Sequence, residues 1–449
     1  MDYKKIKVEE IDLNLARKIS KEISESNRQL AFRINENNEL VVLVDKLNKE
    51  AKTLEFFYSL KIKKTEIATE EVDRFIEVAF LGKKENIFNV LINKGIKFNT
   101  SDIHFEPGER DVLIRYRIDG KLIAMFKILK EEYERLLSEV KVKGNMDITE
   151  KRRPQDGKIN FNFENDNYNL RLSTIPIVKG EKLVIRILYS EVFNYDLKLL
   201  DLDEKAEKDF NNILKRNSGI IIINGPTGSG KSTTLYSILK EIKDDEINIT
   251  TLEDPIEVQI EGVNQMSLNR KANITFANGL RNILRQDPDV IMIGEIRDEE
   301  TAKIAVTSSL TGHRVLTTIH TKTPEEVFLR LKDMGVKDYL IKDSINGIIS
   351  QRLVRILCEK CKVKTQENTW KSQGCFKCNY TGYKNRKVII SIVDISSITK
   401  TIDVNIFQEI NKSFRNQFLK GINKLVKKGN ISFLDFNRFI LEEGLENDI

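Results

Sequence analysis

The segment GIIIINGPTGSGKSTTLYSILKEI brings together residue types that handle phosphate. Its centre, GPTGSGKS from Gly225 to Ser232, fits the pattern G-x-x-x-x-G-K-[ST]. It follows an apolar strand, Ile220–Ile223, and precedes a helical pattern, the setting in which this motif forms a P-loop. Gly225, Gly228 and Gly230 allow backbone N–H groups to turn inward on phosphate oxygens, with Pro226, Thr227 and Ser229 filling the loop. Lys231 supplies charge to the β- and γ-phosphates, Ser232 a hydroxyl to Mg²⁺, and Thr233 opens the helix.

Hydrolysis needs more than binding. Carboxylates must position water and hold Mg²⁺, and positive charge must meet the γ-phosphate. Two apolar strands end in acids: TLEDPIE with Glu253, and DVIMIGEIRD with Glu295. In a doubly wound sheet such strand ends face the ligand. Arg281 and Arg285 are one helical turn apart in NGLRNILRQDP and are expected to share a face. Of the three histidines, His313 and His320 flank the strand-like RVLTTI, too far apart along a strand to share a metal; His320, at its far end, can sense the γ-phosphate.

A second chemistry sits further on. All four cysteines, Cys358, Cys361, Cys375 and Cys378, form two CxxC pairs separated by 13 residues. Four thiolates make the tetrahedral set of a closed structural Zn²⁺ site, with no open position for water.

These residues need elements to hold them. Residues 1–78 mix helical periodicity with the strand-like LVVLVD and read as a small α/β module, ending near the polar GKKEN at 82–86. From 87 to 198 strands dominate, with hairpins around Asp119-Gly120 and Lys179-Gly180 separated by a helix over 131–144. From 199 to 400, short apolar strands alternate with helices, which indicates a parallel sheet covered on both faces. Residues 401–449 read as amphipathic helices. The chain of 449 residues carries 74 basic and 68 acidic side chains, so its +6 net charge describes a mixed solvated surface. The N-terminus has no signal-peptide core and no apolar run reaches the roughly 18 residues of a bilayer span. A cytoplasmic protein is expected.

The ordered blocks TSDIHFEP, RYRIDG, KRRPQDGKI, RLSTIPIVKGEKLVIRIL, GPTGSGKSTTLYS, LEDPIE, LRQDPDVIMIGEIRD, TGHRVLTTIHT, QRLVRILC and TGYKNR resemble the secretion-superfamily ATPases, the hexameric motors of type II secretion and type IV pilus assembly. The blocks cover residues 100–386. The resemblance implies a RecA-like P-loop core preceded by a smaller α+β, PAS-like domain, with a zinc-stapled hairpin at 356–386 and C-terminal helices. It implies ATP, Mg²⁺ and Zn²⁺ as cofactors. Glu253 becomes the carboxylate expected to activate water and Glu295 the Walker B acid near Mg²⁺; which of them is the general base stays open. His313 and His320 form the histidine box, and Arg171 and Arg186 match positions that approach phosphates from the N-terminal half. The halves are expected to move about a hinge near 195–202.

The implied partners are five further copies in a homo-hexamer and an inner-membrane platform protein, with membrane contact only through partners. No nucleic acid is expected, because no basic stripe with interleaved aromatics appears. No cyclic di-GMP is expected, because the arginine-led RLG motif of longer relatives is missing. A GTPase switch lacks its NKxD pattern. The chain departs from the family at Lys322-Thr323-Pro324, where Asn-Asp-Ala is usual, at Asn385 in place of glycine, and at Ser391 in place of an acid. The abundance of Lys, Ile and Asn fits an AT-rich, Gram-positive-like genome and favours pilus extension. The alternatives are type II secretion, with pseudopilus assembly, and a DNA-uptake motor.

Overall fold

Alternation of apolar and polar residues marks strands of the larger sheet in the first half of the chain. In the computed structural model, residues 6–46, 54, 57–58, 60–164, 166–189, 197–269, 272–378, 381–395 and 404–448 are described, and they fall into two units, 1–190 and 191–449. After two short helices, the first unit forms β1 (Gln29–Ile34), β2 (Leu40–Asp45) and β3 (Ile62–Ile67), a small sheet in that order. A larger sheet follows: β4 (Asp102–Pro107), β5 (Asp111–Ile118), β6 (Lys121–Leu129), β7 (Gln155–Phe163), β8 (Asp166–Ile177) and β9 (Gly180–Tyr189), ordered β6-β5-β4-β9-β8-β7 and antiparallel throughout. Along β5, Val112, Ile114, Tyr116 and Ile118 point to the core while the intervening residues face out.

The break expected at 82–86 does not divide the packing. One apolar cluster runs from Val8, Phe32 and Phe75 to Tyr116 and Ile185. Arg17 meets Glu132 of the helix Lys130–Lys143 at 2.6 Å, both side chains buried. The first 78 residues therefore share the core of the strands that follow, because the helix Thr69–Phe80 buries Val72, Phe75 and Ile76 in it.

The second unit holds β10 (Gly219–Asn224), β11 (Ile249–Glu253), β12 (Asn264–Ser267), β13 (Val290–Ile293), β14 (Arg314–Ile319) and β15 (Ile345–Leu357), then a small hairpin of β16 (Lys362–Lys364) and β17 (Trp370–Ser372), and finally β18 (Tyr383–Asp394). The main sheet runs β12-β11-β13-β14-β10-β15-β18, parallel except for the antiparallel edge strand β18. Both faces are covered, as the apolar strands require. Ile220 and Ile222 enter one core cluster, and Ile221 and Ile223 the other. Each of these fully buried isoleucines contributes about 2 kcal/mol. This is the expected α/β architecture: a parallel P-loop sheet preceded by a smaller α+β unit and followed by a cysteine hairpin and helices.

The two C-terminal helices, Val404–Lys427 and Phe433–Glu442, bury Phe414, Phe418, Ile422 and Phe439 with Val354 and Ile389. Two arginines of QRLVRILC reinforce that contact: Arg352 pairs with Glu443, and Arg355 pairs with Asp435 and lies 3.7 Å from the centre of the Tyr383 ring. Two of the departures from the family pattern have local reasons, and that of Ser391 has none in the structure. Thr323 accepts a hydrogen bond from the Glu326 N–H and caps a helix with Pro324 in its first turn. Asn385 has φ 72°, a left-handed conformation that asparagine, like glycine, tolerates. The hinge expected near 195–202 lies partly outside the described residues; 197–200 form a short 3₁₀ turn. Among the described residues, no helix is long and apolar enough to cross a membrane.

Candidate nucleotide site and cysteine centre

Strands β11, β13, β14 and β10 are neighbours in that order. Their register sets Leu252 beside Ile293, Ile293 beside Thr317, and Thr318 beside Ile223. Four parallel strands thus end together, and their carboxyl ends deliver Glu253, Glu295, His320 and the loop after Asn224 to one edge. That edge is where open α/β sheets bind ligands.

Close packing shapes the loop. Gly225 has φ 153°, and a Cβ there would lie 2.6 Å from the carbonyl oxygen of Gln351 on β15. Gly230, at φ 91°, opens the helix Lys231–Ile242. Pro226, Thr227 and Gly228 are exposed, while Ser229 is buried and its carbonyl accepts a 2.7 Å bond from Gln351 Nε2. The Lys231 ammonium donates to the carbonyls of Gly225 and Pro226 at 2.9 and 3.0 Å and stands 3.5 Å from His320 Nδ1. Burial brings this lysine down to about 8; the charge of Glu295 opposes that shift and the charge of Arg352 adds to it. Ser232 is exposed beside it and Thr233 is half-buried.

His320 bridges Lys231 and Glu295. Its Nε2 is 3.5 Å from Glu295 Oε2, an oxygen that is buried without a hydrogen bond, while Glu295 also pairs with Arg297. Burial first, then the Lys231 charge, holds His320 below the usual histidine range and favours the neutral ring at neutral pH. Glu253 is held differently. It is buried and accepts from Tyr236 Oη, from Thr251 Oγ1 at 2.6 Å and from Gln265 Nε2 at 3.1 Å. One acid is saturated and oriented; the other keeps an oxygen without a hydrogen bond beside His320.

The remaining residues singled out in the sequence lie elsewhere. His313 sits at the opposite end of β14, with Nδ1 2.9 Å from the Ser308 carbonyl. Arg281 pairs with Glu300 on the surface. Arg285 does not share a helical face with it: the helix Phe276–Ile283 stops two residues short of it, and Arg285 turns back to the Arg281 carbonyl at 3.2 Å and to Asn282. In the first unit, the strand register places Lys158, Arg171, Arg186, Asp102 and Arg117 in one row across five strands. Arg186 bonds Asp102 at 2.8 Å within this row of cations.

Sequence reasoning missed Tyr236, Thr251, Gln265 and Gln351. A signal existed for Tyr236, which stands one turn beyond Ser232 and Thr233 on the same helix. None existed for Gln351, whose role depends on β15 lying next to β10.

The four sulfurs of Cys358, Cys361, Cys375 and Cys378 lie within 4.8 Å of one another. The spacings 3.9 Å (Cys358–Cys375), 3.6 Å (Cys361–Cys378) and 3.7 Å (Cys375–Cys378) match the ~3.8 Å edge of a tetrahedron with Zn–S bonds near 2.3 Å. Backbone N–H groups of Cys375 and Gly382 each point at Cys378 Sγ from 3.2 Å, the support a thiolate ligand needs.

Comparison with known proteins places these features. The family model "Type II/IV secretion system protein" matches residues 80–438. Type II secretion system protein E of Dickeya dadantii is 43% identical over 329 residues, covering 70% of this chain and 66% of that protein. The chain spans about two thirds of the length of such curated relatives, 63% in the case of the Vibrio cholerae type II secretion system ATPase E. Among solved structures, the Legionella pneumophila ATPase DotB matches with a TM-score of 0.59 at 21% identity, over 79% of this chain and 95% of that one. The pilus retraction motor PilT with bound ADP matches with a TM-score of 0.50 at 26% identity, over 77% and 94%. A P-loop at the end of a parallel sheet, paired strand-end acids and an extended match to that family lead to one conclusion: the chain belongs to the type II/IV secretion system protein family.

Proposed function

We propose that this protein hydrolyses ATP and couples the reaction to work in a type II secretion machine, driving pseudopilus assembly. The observation that carries the reading is the cluster at the ends of β10, β13 and β14, where Lys231, His320 and Glu295 stand within 3.5 Å steps of each other beside the P-loop. The loop N–H groups and Lys231 would hold the nucleotide phosphates. Ser232 and Glu295 would hold Mg²⁺, which supplies charge neutralisation when bound. Glu253, oriented by Tyr236, Thr251 and Gln265, would accept the proton of the attacking water. His320 would report the γ-phosphate to β14. Arg171 and Arg186 would bring positive charge from the first unit, and Arg281 and Arg285 from the surface of the second. Cys358, Cys361, Cys375 and Cys378 would hold a structural Zn²⁺.

The relatives' names favour type II secretion over the pilus extension that composition alone suggested. Likeness to a pilus motor keeps type IV pilus assembly as the second reading. A homo-hexamer working on a membrane platform protein completes the proposal.

Two isosteric substitutions separate the acids. Glu253→Gln is expected to lower turnover by at least a hundredfold while leaving the Mg²⁺ concentration for half-maximal nucleotide binding unchanged, since only the base is lost. Glu295→Gln is expected to raise that Mg²⁺ requirement as well. Equal turnover in the wild type and both variants, measured by phosphate release, would end the assignment.

A further inference from the structure

The guanidinium of Arg352 is buried where β15 passes the P-loop, and every side of it is engaged. It makes a two-bond fork with Glu443, Nε to Oε1 at 2.5 Å and Nη2 to Oε2 at 2.7 Å. Nη2 also donates to the Lys322 carbonyl at 2.7 Å, and Nη1 to the Gln351 carbonyl at 3.0 Å. The Phe418 ring centre lies 5.5 Å away. Neither side chain of the Arg352–Glu443 pair is more than a tenth exposed.

What these carbonyls belong to gives the arginine its meaning. Lys322 is two residues past His320, so one bond fixes the chain leaving the strand end that carries the histidine. The Gln351 oxygen is the atom that Gly225 approaches too closely to admit a Cβ, and the Gln351 amide holds Ser229 of the loop. Glu443 ends the helix Phe433–Glu442, far along the chain from the motifs. A single guanidinium therefore joins the P-loop floor, the histidine strand and the last helix. Its charge also reaches Lys231.

We propose that Arg352, clamped by Glu443, is a positioning residue for phosphoryl transfer, through which the C-terminal helix pair sets the relative placement of the P-loop and His320. The proposal rests on the ATP-hydrolysing reading given above. Lys231 and the loop N–H groups bind nucleotide without Arg352, so its loss acts on kcat and leaves binding nearly intact. A misplacement of about 1 Å in such a site costs on the order of a hundredfold in rate.

A merely structural ion pair can be exchanged for apolar residues of like volume with stability kept or raised. The double variant Arg352→Met with Glu443→Leu is therefore decisive when melting temperature, KM and kcat for ATP are read together. The expected result is a melting temperature within a few degrees of wild type, KM within about threefold, and kcat lowered by tenfold to a hundredfold. A folded double variant with kcat within about twofold of wild type would overturn the proposal. Should the double variant not fold, Arg352→Lys decides on the same kcat criterion, because it keeps the charge but cannot bridge Glu443, Lys322 and Gln351 at once. Absence of turnover in the wild-type chain would remove the underlying reading, and the proposal with it; turnover in the wild type with unchanged kcat in the variants would remove the proposal alone.

Discussion

Lys231 is a cation kept where water is scarce, and that conflict sets how the site responds to pH. Burial brings the free lysine to about 8, against the pull of Glu295 and with the push of Arg352. Phosphate bound against the ammonium favours its charged form, so the lysine holds its proton more tightly in the complex than in the free chain. Below about pH 8 both states are protonated and affinity is flat. Above it, binding must take up a proton, and nucleotide affinity is expected to fall by up to about tenfold per pH unit. A titration with fluorescent nucleotide from pH 7 to 9.5 checks this; pH-independent affinity across that range would contradict it. At this scale the sequence was partly legible. Lys231, Glu295 and His320 announce themselves by motif, and the structure brings them together. Gln265 and Arg352 do not, because what they do depends on which strand lies beside which.

The cysteine hairpin leaves the sheet between β15 and β18 and is also fixed to the turn after the first C-terminal helix. Gly429, at φ 63°, follows the helix Val404–Lys427, and a Cβ there would come within 2.6 Å of the Trp370 indole on β17. Lys362 on β16 lies over the same indole at 4.9 Å and donates to the Gly429 carbonyl at 3.0 Å. Among the described residues, the hairpin's strands β16 and β17 are three residues each, with too little apolar surface to hold themselves. A metal held by the four cysteines would supply further order. The purified chain is expected to contain about one zinc per polypeptide, and Cys375→Ser to lose it together with several degrees of melting temperature. Metal analysis alongside thermal unfolding tests this, and a zinc-free chain that melts like the zinc-bound one would refute it. Two CxxC pairs are readable because thiolate chemistry needs no knowledge of the fold. The role of Gly429 is not readable, since it depends on a tryptophan 59 positions away, from Trp370 to Gly429.

Across the whole molecule, periodicity revealed the parallel sheet and the two hairpins around Asp119-Gly120 and Lys179-Gly180, because strands covered on two faces and on one face bury residues in different rhythms. It misjudged the continuity between residues 1–78 and the strands after them. The polar run GKKEN looks like a linker, yet the apolar face of the helix Thr69–Phe80 just before it is committed to the shared core. The expected helical partnership of Arg281 and Arg285 failed because the helix ends at Ile283, two residues before Arg285. The proposed ATP hydrolysis takes place at the P-loop beside the ends of β10, β13 and β14. Steady-state phosphate release by the purified full chain with MgATP tests it most directly, with Lys231→Ala alongside. Wild-type turnover reduced by at least about a hundredfold in Lys231→Ala is the predicted result. No turnover in the wild type, or equal turnover in the variant, would contradict it.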